Sequence, residues 1–148
     1  MQLTLEADYA VRIISVLCSE QGKLDAKTIS EKAVVSLRFA LKILRKLVSA
    51  ELVESFKGTQ GGYTIKRSPG EINLRQVIEA IEGTYYFSRC LSPDGVCNRG
   101  MSGVCCYQRA FSEITDMVRE RLEAYNFADM TAASRETEGE TQLEGKMQ

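Results

Sequence analysis

Between Ala7 and Glu20 the apolar residues fall at Tyr9, Ala10, Ile13, Ile14 and Leu17, a spacing that places them on one face of a helix. Gln21-Gly22 ends it. Asp25 or Thr28 is positioned to cap a short second helix through Ile29 to Ala33, and Ser36 to cap a third through Phe39, Ala40, Ile43, Leu44, Leu47 and Val48. On that third helix Arg38, Lys42, Arg45 and Ser49 are left over from the core at intervals of 4, 3 and 4, so they share one exposed face. After Glu51 the period changes. Leu52-Val53 and Phe56 precede the turn-rich run Lys57-Gly58-Thr59-Gln60-Gly61-Gly62, and Tyr63 and Ile65 follow it, which predicts a hairpin.

Three helices and a hairpin predict a mainly α fold with a small β-hairpin: a winged helix-turn-helix over residues 1–83, closed by a helix that Asn73 caps and Gly83 stops. In such a head the third helix enters a major groove and the wing meets the neighbouring backbone. Residues 84–106 lose periodicity and read as a loop. From Tyr107 the set Phe111, Ile114, Val118, Leu122 and Tyr125 returns at helical spacing, predicting a two-faced helix over 107–128 that dimerises or packs on its own domain. Residues 129–148 are rich in Thr, Ser, Glu, Gln and Gly and read as a disordered acidic tail.

Charge sharpens this picture. The chain's net charge of −1 conceals a basic block: residues 27–67 hold nine Lys or Arg against three Glu, a net of +6. Such a block is the footprint of nucleic-acid binding or a solvated helix face. The 148 residues contain no histidine, which excludes a Ser-His-Asp triad, a Cys-His pair and every His-ligated metal site. No acid, base and nucleophile constellation is visible, so an enzyme is not expected. No run of about 18 apolar residues and no basic-flanked apolar leader occurs, so the expected location is the cytoplasm, without a membrane partner.

The five cysteines are distributed unevenly. Cys18 stands alone in the first helix, where core packing explains it. Cys90, Cys97, Cys105 and Cys106 lie in the loop, beside Pro93, Gly95, Gly100 and Gly103. Clustered cysteines without an export signal point to metal ligands or redox thiols. The spacing Cys90-x6-Cys97-x7-Cys105 lacks the short knuckles usual for zinc, while three thiolates on one loop suit an iron-sulfur cluster whose fourth ligand comes from elsewhere; zinc and a thiol switch remain alternatives.

The opening Met1-Gln2-Leu3-Thr4 with Asp8-Tyr9-Ala10-Val11-Arg12, the wing run Gly58-Thr59-Gln60-Gly61-Gly62-Tyr63, the helix from Ile72-Asn73-Leu74 to Glu82-Gly83 and the three cysteines together resemble the Rrf2 family of bacterial regulators, with its IscR-, NsrR- and RirA-like cluster-binding members. The resemblance runs in order over roughly residues 1–130. It implies a homodimer that binds double-stranded DNA at a palindromic operator, with the long helix as interface. It also implies a 2Fe-2S or 4Fe-4S cluster on Cys90, Cys97 and Cys105. One branch of the family completes the site with a histidine three residues after the third cysteine, where this chain has Gln108; another uses an aspartate at the start of the first helix, contributed by the other protomer, and Asp8 stands at that place. A carboxylate is a weak, exchangeable ligand, and would open a cluster to nitric oxide, oxygen or iron loss. Against this, Asp8 has Arg12 at i+4 as an ordinary surface partner. Cys106 is the competing ligand.

For DNA, Arg38 and Lys42 are placed for base edges, Arg45, Lys46 and the wing's Lys57 for phosphates, Ser36 first as a helix cap and then as a phosphate contact, and Gln60 at the wing. The resulting expectation is a transcriptional repressor or other regulator whose operator affinity follows the state of the cysteine loop. The alternatives are a winged-helix repressor using the same cysteines as a thiol switch or zinc site, and an interaction protein acting through the long helix without DNA.

Overall fold

The computed structural model describes residues 2–20 and 22–145. Met1, Gln21 and the last three residues of the expected tail lie outside them. Helix α1 (Leu5–Ser19) is followed by α2 (Ala26–Ala33) and α3 (Leu37–Ser49), an antiparallel hairpin of β1 (Val53–Phe56) and β2 (Gly62–Ile65), and α4 (Leu74–Glu82). Then come α5 (Cys106–Glu123) and α6 (Phe127–Gly145).

Each early helix begins where its cap residue says it should. Thr4 Oγ1 accepts from Ala7 N–H, Asp25 Oδ1 from the N–H groups of Lys27 and Thr28, and Ser36 Oγ from Phe39 N–H. Asn73 and Gln76 form a reciprocal capping box at 3.0 Å each way. Such caps contribute about 1 kcal/mol apiece. The turn from α2 to α3 runs through Val34 in the left-handed region at φ 55°. A β-branched residue there is strained by about 1–2 kcal/mol. Backbone bonds from Val34 N–H to Glu31 O and from Val35 N–H to Ser30 O hold the turn in place.

The hairpin pairs Val53 with Ile65 and Phe56 with Gly62. Leu24, ahead of α2, pairs with Tyr63 on the other edge of β2 through two bonds of 3.0 and 2.8 Å. The backbone at Leu24 passes so close that a Cβ at residue 62 would sit 2.7 Å from Leu24 O, so the wing needs Gly62. The core lies among α1, α2, α3, α4 and the base of the hairpin, with Ile13, Ile14, Ile29, Ile43, Leu44, Leu47, Ile72 and Val77 buried.

Two boundaries differ from the sequence expectation. The helix predicted over 107–128 ends at Glu123, and the chain then returns to the head: Leu74 N–H donates to Tyr125 O at 3.0 Å and Phe127 N–H to Ile72 O at 2.9 Å. Phe127 is thereby driven into the core, 1% exposed. The second correction concerns the tail expected to be disordered from residue 129. It is the helix α6, started by Asn126 Oδ1 accepting from Asp129 N–H and held against the head by Phe127, Met130 and a bond from Arg135 to Ser19 O. A polar composition hid a helix that needs only a few apolar anchors at its first turns.

Candidate functional site

The basic face of α3 is where the sequence puts it. Arg38, Lys42 and Arg45 are exposed on successive turns, and Ser36 caps the helix beneath them. The five cations expected to meet DNA are not equivalent, however. Lys42 Nζ lies 3.1 Å from Glu6 Oε2 and Lys46 Nζ 2.9 Å from Glu6 Oε1, the latter an ion contact without hydrogen-bond alignment. Lys46 Nζ also donates to Ile81 O at 3.3 Å. Contact with Lys46, then Lys42, holds the Glu6 carboxyl below the usual carboxylate range, against the partial burial that pushes it up. Lys46 thus braces α3 against α1 and α4. Among the described residues, Arg38 and Arg45 have no acidic partner.

Lys57 and Gln60 are exposed at the wing. A cation the sequence reading missed, Lys23, donates to Gln60 O at 3.0 Å and stands 5.0 Å from the centre of the Phe56 ring, fixing the wing from below. The contact spans 37 positions and has no local signature.

The loop after α4 is anchored rather than slack. Tyr85 N–H donates to Glu79 Oε1 at 3.2 Å, where Arg119 Nε also donates at 3.2 Å, while Glu79 Oε2 faces Arg75 Nε at 3.4 Å. Phe87 N–H donates to Thr115 Oγ1 at 3.1 Å, and that hydroxyl donates to Phe111 O at 2.7 Å. Thr115 is 4% exposed, and the Phe87 and Phe111 rings pack 5.4 Å apart beside it. Gln108 ties the two ends of the loop: its Oε1 accepts from Gly103 N–H at 2.9 Å and its Nε2 donates to Cys90 O at 3.3 Å. Read in sequence only as a poor iron ligand, Gln108 is here a staple.

Cys90, Cys97 and Cys105 line one cavity of about 370 Å³ with Arg89, Arg99 and Gln108. Backbone N–H groups of Met101 and Arg99, with the Arg99 charge, hold the Cys97 thiol below its usual range and favour the thiolate. Cys105 is the N-cap position of α5 and Cys106 its first residue, exposed and outside the cavity lining. Asp8 is also outside it, paired with Arg12 at 2.7 Å. Among the described residues no three Cys, Asp or Glu side chains converge closely enough to share one ion. The donor set nevertheless suits a thiophilic group: three cysteine side chains line one cavity, with two guanidinium groups to balance charge. Cys18 is different, since burial pushes its thiol up to about 11.

The sequence matches the family described as "Rrf2: Iron-dependent Transcriptional regulator" over residues 3–133. The chain belongs to the Rrf2 family. This Rrf2 protein is a transcriptional regulator acting on DNA, not an enzyme. It is 28% identical over 132 residues to the HTH-type transcriptional regulator NsrR of Geobacillus kaustophilus, covering 88% of this chain and 89% of that one. Its fold matches T. potens IscR with a TM-score of 0.73 at 22% identity, covering 93% and 90% of the two chains. It also matches CymR, the global cysteine regulator of B. subtilis, with a TM-score of 0.69 at 21% identity, covering 90% and 98%. No helix among the described residues is long and apolar enough to cross a membrane.

Proposed function

We propose that this Rrf2 regulator binds a palindromic operator as a homodimer and that its operator affinity is set by an iron-sulfur cluster held in the cysteine cavity. Cys90, Cys97 and Cys105 would hold a 2Fe-2S or 4Fe-4S cluster, with the partner subunit's Asp8 as fourth ligand and Cys106 as its competitor. When bound, such a cluster supplies a centre that reacts with nitric oxide, oxygen or chelators. The remaining roles fall to the chain itself. Arg38, Lys42 and Arg45 face the major groove and its phosphates, and Lys57 and Gln60 the flanking backbone. Ser36 holds the start of α3 and offers its hydroxyl to a phosphate, while Lys46 braces that helix. Glu79, Thr115 and Gln108 connect the loop to α4 and α5, so a change in the loop shifts the head against α5.

The observation that carries this reading is that three cysteines line one cavity whose surrounding loop is fastened to both the head and α5. The exposed apolar residues of α5, Tyr107 and Met117 among them, support a second copy as partner. The test is anaerobic purification with iron and acid-labile sulfide analysis and a visible absorption spectrum, on wild type and Asp8→Ala. Stoichiometric iron and sulfide with a cluster band is the expected result, with the band altered or lost in Asp8→Ala. An unaltered band in that variant removes Asp8 from the site. A colourless protein that stays iron-free after anaerobic reconstitution overturns the cluster. It would leave a thiol or zinc switch on the same DNA-binding frame.

A further inference from the structure

The start of α3 exposes apolar side chains as well as cations. Leu37 is 44% exposed, Val34 in the preceding turn 77%, and Leu41 is half-buried. Leu37, Leu41 and Arg45 follow one another at i, i+4 and i+8, so they form a single stripe along the helix, with Arg38 beside its first turn. The neighbouring flank is partly engaged: Phe39 packs edge-on against Tyr9 with ring centres 6.2 Å apart, and Lys42 and Lys46 are drawn toward Glu6. The groove along the helix is lined by Leu37, Arg38, Phe39, Leu41, Lys42 and Arg45, and no acidic side chain lines it.

An apolar stripe framed only by cations is complementary to a polyanion that carries apolar spots. The major groove of DNA offers one such spot, the thymine 5-methyl group, and the first two turns of a recognition helix reach base edges. We propose that Leu37 and Leu41 are specificity-determining residues that read thymine methyls, and that Arg38 and Arg45 fix the adjoining base pairs or phosphates. The operator half-site then contains thymines whose methyl groups, not only their hydrogen-bonding edges, are recognised. This rests on the assignment of α3 as the DNA-reading helix.

The test uses the full-length protein, both anaerobically loaded and cluster-free, to select duplexes from a randomised library. Each thymine of the selected half-site is then replaced by deoxyuridine, which removes one methyl and keeps every hydrogen bond. At one or two positions the wild-type protein is expected to lose about fourfold in affinity per methyl, the value of one buried carbon. Leu41→Ala and Leu37→Ala, at exposed or half-buried positions that spare the core, are expected to lose that discrimination: each binds the thymine and uracil duplexes within twofold. Deoxyuridine without effect at any position in wild type overturns the proposal, and needs no variant. So does full retention of the methyl effect in both variants. If no duplex is selected in either state, the assignment of α3 to DNA fails, and this inference with it.

Discussion

The head and α5 are built on opposite terms. The head closes its own core: α1 to α4, the hairpin and the returning Phe127 bury a continuous apolar cluster within one chain. Helix α5 has a single buried residue, and that residue is the polar Thr115; Tyr107 and Met117 are 61% and 66% exposed. Apolar surface left in water on a long helix is a surface to be covered, whereas the head needs nothing further to be folded. Stability therefore resides in the head, and in the function proposed above the contacts that distinguish states are those where α5 and the loop meet it.

The comparison breaks most visibly at Phe127, because this residue belongs by sequence to the C-terminal segment and by packing to the head. Phe127→Ala is expected to lose about 3–5 kcal/mol in denaturant unfolding, the range for truncating a buried aromatic. A loss below 1 kcal/mol would detach α6 from the head's core. On α5 the opposite behaviour is expected. Met117→Asp should leave the melting of the head unchanged and shift the protein from dimer to monomer in sedimentation equilibrium. A dimer of undiminished strength would move the interface elsewhere.

Two smaller effects sharpen the boundary. Thr115→Val removes the hydroxyl that accepts from Phe87 N–H, and a buried donor left without an acceptor costs about 1–3 kcal/mol. Hydrogen exchange should accelerate at Phe87 while α1 and α3 keep their protection; uniform acceleration would mean that the loop and the head open together. Glu6→Gln is expected to cost about 1 kcal/mol at neutral pH, since the ion contacts it removes are partly exposed. Because the folded carboxyl lies below its ordinary value of 4.5, its contribution is fully present above that value and is lost as pH falls through the lowered one. Stability curves of wild type and Glu6→Gln should therefore converge on the acid side. A gap that persists there would point to packing rather than charge.

The head was legible in the sequence because its rules are local. Caps at Thr4, Asp25, Ser36 and Asn73 sit directly before their helices, although Thr4 went unread. The glycine run of the wing marks its turn. The end of α5 was not legible, since Tyr125 continues the helical period past a break imposed by pairing with Ile72 and Leu74, some 50 residues earlier in the chain. The candidate site divides in the same way. Cysteine spacing announced the three residues that share a cavity. The residues that fasten it, Glu79, Thr115 and Gln108, carry no spacing signal, and neither does Glu6, whose partners on α3 are distant in sequence. Side chains that act through tertiary contacts leave no period to read.

The central claim is that the cysteine loop governs how the head reads DNA. Its most direct test is the operator affinity of one protein preparation measured anaerobically by fluorescence anisotropy, cluster-loaded and after cluster removal, at matched salt. The account predicts a difference of about tenfold or more, the scale of an ordinary coupling free energy between sites. Equal affinity of the two forms for the same duplex would contradict it.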